Sequence, residues 1–118
     1  PNVKFMGEVE FTAIPRILSQ FDVGLIPFIV NDLTLSTNPI KLYEYFAAGI
    51  PVVSSALPEV TRFRDLVYIA DAPVGFAEQV KAALLERDGA LAYRRREIAS
   101  RETWGCRALE MLELMRTA

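Results

Sequence analysis

The residues best suited to chemistry in this sequence are a lysine and a glutamate three apart. Lys41 and Glu44 lie within the run Ser36-Thr37-Asn38-Pro39-Ile40-Lys41-Leu42-Tyr43-Glu44. Asn38 followed by Pro39 has the pattern of an N-cap and a first helical position. The backbone N–H groups of Ser36, Thr37 and Asn38 therefore lead into a helix N-terminus, whose partial positive charge attracts phosphate. Lys41 falls in the first turn, a poor place for a cation on dipole grounds. A bound anion would offset that cost; a solvated amine is the alternative. Glu44 comes about one turn later, roughly 9 Å along the axis from Asn38. Its carboxylate either pairs with Lys41 at i,i+3 or accepts from both hydroxyls of a ligand diol. The residues alone leave both readings open.

The elements that must position this segment alternate between strand and helix patterns. Val3–Met6, closed by Gly7, reads as a buried strand. Ile14, Ile17, Leu18 and Phe21 have helical spacing, with Thr12 as the expected N-cap. Val23–Ile26, stopped by Pro27, reads as a second strand, and a loop fills Phe28 to Thr37. Ile40–Ala48 reads as the helix carrying Lys41 and Glu44, with Gly49 as its C-cap. Pro51–Ser54 and Leu66–Ile69 follow as strands. From Pro73 the pattern is helical, with Phe76, Val80, Ala83 and Leu84 on one face. Gly89 breaks it before two more helical pieces, the last being Trp104–Met115. Short apolar strands alternating with amphipathic helices predict an α/β fold, a Rossmann-like parallel sheet flanked by helices. Ligands of such sheets sit beyond the carboxyl ends of the strands. That places the site at Gly7–Val9, Pro27–Asn38 and Ser54–Glu59.

Composition narrows the function classes. A chain of 118 residues that is 52% hydrophobic, with a formal charge of −2, reads as one folded domain, not a disordered segment. It has no net positive field for nucleic acid. The apolar stretches near Val23–Val30 and Phe46–Val53 are too short to span a bilayer. With no histidine, imidazole metal sites and histidine general catalysis are excluded. The single cysteine, Cys106, rules out a disulfide framework and points to a cytoplasmic protein. The sequence opens at Pro1 without an initiator Met or signal sequence, and reads as cut from a longer chain.

The run Asn38-Pro39-Ile40-Lys41-Leu42-Tyr43-Glu44-Tyr45-Phe46-Ala47-Ala48-Gly49-Ile50-Pro51-Val52-Val53 resembles the nucleotide-sugar-binding segment of GT-B glycosyltransferases, closest to the large retaining group called family 4. Val3–Gly7, Asp22–Pro27, Leu57-Pro58-Glu59 and the closing helix after Trp104 fit the same pattern. The resemblance implies that residues 1–118 are the later part of the C-terminal donor-binding domain of such an enzyme. The acceptor-binding N-terminal domain would then lie elsewhere in the parent chain, as a partner of this one. It implies a UDP- or GDP-linked sugar as substrate, no further cofactor or metal, and a role in polysaccharide or glycoconjugate biosynthesis. Glu44 matches the second glutamate of the family's E-x7-E motif, which accepts from the donor ribose. The first glutamate falls at Ser36, so sugar contacts here would come from backbone, Ser36 or Thr37. Gly7-Glu8-Val9 matches the turn that packs around the nucleobase. The basic pair that clamps the diphosphate falls outside these residues, so the isolated chain is expected to be inactive.

Other polar groups carry weaker signals. Cys106, beside Trp104, reads as core or inert. Arg94-Arg95-Arg96 reads as a solvated helix face, Asp22 as a turn or capping residue, and Glu59 as surface more than site. Trp104, Ala108, Met111, Leu112 and Met115 share a helix face, so the last helix is expected to expose apolar surface and promote self-association. Catalytic acid and base residues are not evident. The alternative to a glycosyltransferase donor domain is a non-catalytic α/β nucleotide-binding or protein-interaction module. For an enzyme attached through its other domain, peripheral contact with a membrane is also expected.

Overall fold

The computed structural model describes residues 2–71 and 73–118. Three parallel strands, β1 (Gly24–Ile26), β2 (Val52–Ser55) and β3 (Tyr68–Ala70), form a sheet in that spatial order. Gly24, Leu25 and Ile26 stand opposite Val52, Val53 and Ser54, and Val53, Ser54 and Ser55 stand opposite Tyr68, Ile69 and Ala70. The helices are α1 (Ile14–Leu18), α2 (Ile40–Ala48), α3 (Pro58–Thr61), α4 (Pro73–Leu84), α5 (Gly89–Arg101) and α6 (Trp104–Thr117). The architecture is the predicted Rossmann-like α/β arrangement.

All four residues of β2 are buried, so the middle strand is covered on both faces. Strand side chains alternate between faces. Ile26 and Val52 belong to one core with Leu42, Tyr45 and Phe46 of α2 and with Leu18 of α1. On the other face α4 packs across β2 and β3 and buries Ala83. α5 packs chiefly against α2, contributing Leu91, Ile98 and Ala99 to the first core.

The ends of α2 follow the sequence with one shift. Gly49 adopts φ +75° and caps the helix, its N–H bonding to Phe46 O at 2.9 Å. At the start, Pro39 is itself the N-cap, and no side chain caps the helix. The Asn38 amide therefore does not do the capping expected of it: Pro39 is itself extended, with ψ 120°, so the helix begins at Ile40 and Asn38 stands one position too early to cap it.

Four other expectations are corrected. Val3–Met6 forms no strand: its side chains are exposed, Phe5 by 94%, and no described strand lies beside it to complete a ladder. Thr12 does not cap α1. It sits inside a 3-10 turn, Phe11–Ala13, that leads into Ile14. The segment Ser54–Glu59, placed beyond the carboxyl end of a strand, is not loop to its end, because Pro58 starts α3. The Arg94–Arg96 run is not a uniform solvated face. Arg95 is 1% exposed, donating to both Glu86 carboxylate oxygens (2.6 and 2.7 Å) and, through Nε, to Leu66 O (2.9 Å). Arg94 pairs with Asp65, and Arg96 donates to Ala48 O at 3.2 Å. Three consecutive residues on a helix point in directions about 100° apart, so one run meets three environments.

Burial alone would raise the Glu86 carboxyl, but hydrogen bonds from Arg95 and Tyr68 outweigh it and hold Glu86 below its ordinary 4.5. A carboxylate depressed on folding contributes stability that is complete above about pH 4.5 and is lost as pH falls through the folded value. Breaking this pair one-sidedly with Arg95→Met should cost about 3–5 kcal/mol, read from urea unfolding at pH 7. Wild type should lose stability from pH 5 to pH 3 more steeply than the double variant Arg95→Met, Glu86→Leu.

Gly49→Ala should cost about 1–2 kcal/mol for the left-handed backbone. It should also displace Arg96, whose guanidinium carbon lies 2.6 Å from where the new Cβ would stand. Thermal unfolding of that variant reads the cost.

Candidate functional site

Helix α2 buries Leu42, Tyr45 and Phe46 against the sheet, and this fixes its rotation. Glu44 and Ala47 then face away, toward α1. Between α1 and α2 lies a groove of about 490 Å³, walled by Phe11, Ile14, Pro15 and Leu18 on one side and by Glu44, Ala47 and Ala48 on the other. Its lining is mostly apolar, and Glu44 is its one carboxylate. Arg96 closes the groove beside Ala48.

Lys41 Nζ donates to Glu44 Oε2 at 2.9 Å, with the side chains 60% and 20% exposed. The structure thus brings together the two residues on which the sequence argument rests, and in this state the pair satisfies Glu44. The amine is solvated enough to turn away when something else occupies the carboxylate. Counted from Ile40, Glu44 stands about 6 Å along the helix, somewhat closer to the N-terminus than a start at Asn38 implies.

The other candidates are placed less tightly. Gly7 turns the chain with φ +68°, a conformation that favours glycine. Glu8 and Val9 follow it exposed, and two residues after Val9 the chain enters the groove wall at Phe11. Ser36 ends a 3-10 turn, Thr34–Ser36. Thr37 spends its N–H on Thr34 O (3.0 Å) and its hydroxyl on Leu33 O (3.4 Å). That removes one of the three backbone donors expected to greet a phosphate. Asn38 is exposed.

A second cleft, about 430 Å³, opens at the carboxyl ends of all three strands between Phe28, Val30, Ser55, Ala70 and Phe76. Ser55 Oγ donates to Phe28 O at 2.6 Å and ties the loop after β1 to β2. Glu59 is held locally by Arg62 at 2.8 Å. Asp22 is exposed just before β1. Cys106 is half-buried, not a core residue, and its N–H bonds the Thr103 hydroxyl that caps α6. Residues that sequence reasoning missed at the groove are Phe11, Ser19 and Arg96. Phe11 and Ser19 carry no motif, and Arg96 reaches the groove only through the packing of α5 on α2.

Among the described residues no group of three His, Cys, Asp or Glu side chains is arranged to hold a metal ion. No described helix is long and apolar enough to cross a membrane.

The chain is a parallel α/β domain with a helix-borne carboxylate over an apolar groove, and the comparisons give its family. The model of the family "Glycosyl transferases group 1" matches residues 1–86, and the chain belongs to that family. It is 30% identical over 112 residues to a protein of Bacillus subtilis (strain 168) named "Putative teichuronic acid biosynthesis glycosyltransferase TuaH". That alignment covers 90% of this chain and 28% of the relative, so the chain spans little more than a quarter of its length. No solved structure matches at a significant level.

An exposed i,i+3 pair contributes little to folding, about 0.2–0.5 kcal/mol. Glu44→Gln should therefore leave the unfolding midpoint of the chain nearly unchanged. A loss above about 1 kcal/mol in urea unfolding would make Glu44 a structural residue.

Proposed function

We propose that this chain is the donor-binding part of a glycosyltransferase that takes a sugar from a nucleoside diphosphate, UDP or GDP, and passes it to an acceptor in polysaccharide or glycoconjugate synthesis. One observation carries the reading: Glu44 is the single carboxylate on an apolar groove, about one turn from a helix N-terminus, with the solvent-exposed amine of Lys41 paired to it. A carboxylate accepts from two neighbouring hydroxyls at once, which suits the ribose diol. The apolar wall from Phe11 to Leu18, entered from Gly7-Glu8-Val9, suits the nucleobase. The N-terminus of α2 and Lys41 suit the diphosphate, with Ser36, Thr37 and Asn38 at the approach. The name of the B. subtilis relative supports polymer synthesis as the setting. No general acid or base is required of these residues, because transfer from a diphosphate is promoted mainly by positioning and by stabilising the leaving charge. The acceptor-binding domain and further cations would come from the rest of the protein.

Calorimetry on the full-length protein tests the assignment. Glu44→Gln should weaken nucleoside diphosphate binding by about 1.5–3 kcal/mol. A 2′-deoxy ligand should be penalised in wild type and much less in Glu44→Gln. Equal deoxy penalties in the two proteins would leave Glu44 as a partner of Lys41 only, and would favour the alternative of a non-catalytic binding or interaction module.

The 118-residue chain by itself should show no sugar transfer. Turnover by the purified chain, followed by release of nucleoside diphosphate, would mean that its own residues complete the site.

A further inference from the structure

We infer that Tyr43 is a positioning residue of the donor site. Its buried hydroxyl donates to the Glu102 carboxylate when α6 is engaged by the rest of the protein, and that contact anchors the first turn of α2 beside Lys41 and Glu44. Among the described residues the Tyr43 hydroxyl is the one buried side-chain polar atom without a hydrogen-bond partner. Buried polar groups are ordinarily paired, because leaving one unpaired is costly. The ring itself is firmly placed. It packs edge-on against Phe63 with centroids 6.3 Å apart, and Phe63 packs edge-on against Phe46 of the core at 5.5 Å. The Arg62 guanidinium lies over the Phe63 ring at 5.4 Å. The hydroxyl therefore leaves an aromatic layer and meets a charged one, in which Arg62 and Arg107 each have both Tyr43 and Glu102 in their electrostatic surroundings.

Of the carboxylates in that layer, Glu102 is the one suited to accept. Glu59 is held by Arg62, and the Glu110 side chain is 62% exposed. Glu102 is only 18% exposed and already accepts from Arg107. A carboxylate has about four acceptor sites, so it can take the hydroxyl without releasing the guanidinium. Glu102 ends α5 and stands next to Thr103, the N-cap of α6, so it moves with the root of α6. α6 buries none of its residues, so the body of this chain does not fix its course. The ends of α2 show why the contact matters. Gly49 and Arg96 hold the far end, whereas the near end has no side-chain cap. In the donor-site reading, on which this step rests, the near end and Lys41 face the diphosphate. A hydrogen bond from Tyr43 to Glu102 gives that end the anchor it lacks, and ties it to the placement of α6.

The test is a double-mutant cycle of Tyr43→Phe and Glu102→Ala on the full-length protein, read by hydrogen exchange with no nucleotide added. Each variant should speed exchange of the amides of residues 42–44 by about fivefold, and the pair together no further, because either one removes the contact. The amides of residues 46–48 should change little. In calorimetry, Tyr43→Phe should weaken binding of UDP or GDP by about fivefold as well. Unchanged exchange at 42–44, or effects of the two variants that multiply, would overturn the inference. Equal acceleration along the whole of α2 would overturn it too, by making Tyr43 a structural residue only. Binding of neither UDP nor GDP to wild type would fail the donor-site reading, and the exchange cycle would still decide the contact. If Glu102→Ala does not fold, Tyr43→Phe decides alone, since it removes one oxygen and leaves the ring packed.

Discussion

The site depends on one packing constraint, the rotation of α2 about its own axis. Leu42, Tyr45 and Phe46 are the residues that can be buried, and burying them against Ile26 and Val52 leaves one orientation. Tyr45 sits so close to β1 that a Cβ on Gly24 would lie 2.6 Å from its ring. Its hydroxyl donates to Leu25 O at 3.4 Å. With that face committed, Glu44 cannot turn toward the sheet and must stand over the groove. A rotation of about 100°, one residue's worth, would bury the carboxylate without a partner and expose an aromatic ring.

The far end of α2 is held as firmly as its face. Gly49 reverses the chain in the left-handed conformation, and Arg96 reaches across from α5 to the carbonyl of Ala48. α5 is in turn locked by Arg95, whose guanidinium joins the Glu86 carboxylate after α4 to the carbonyl of Leu66 before β3. The arginine run therefore braces the helix that carries the site. By contrast α6 buries none of its residues, and Trp104 is 85% exposed. This is the apolar surface that the spacing of Trp104, Met111, Leu112 and Met115 implies.

Much of this was legible in the residues. Gly49 marked the end of α2 because a helix that stops in a left-handed turn favours glycine. The apolar run around Val52 marked a strand covered on both faces. Helical spacing alone put Lys41 within reach of Glu44 as one of two readings. What was not legible came from contacts distant in sequence. Nothing local distinguishes Arg95 from its two neighbours, because its burial depends on Glu86 and on the strand at Leu66. Val3–Met6 has the composition of a strand but no partner among the described residues, and a strand is defined by its partner. Asn38 has the right side chain for a cap, but Pro39 shifts the helix start by one residue.

The central claim is that the rotation of α2 presents Glu44 to a ribose. A crystal structure of the full-length protein with a bound nucleoside diphosphate tests it most directly. The account predicts the two Glu44 carboxylate oxygens within hydrogen-bond distance of the ribose hydroxyls, about 2.6–3.0 Å, with Lys41 turned from Glu44 toward the phosphates. A nucleotide bound elsewhere, with the Lys41–Glu44 pair intact, would contradict it.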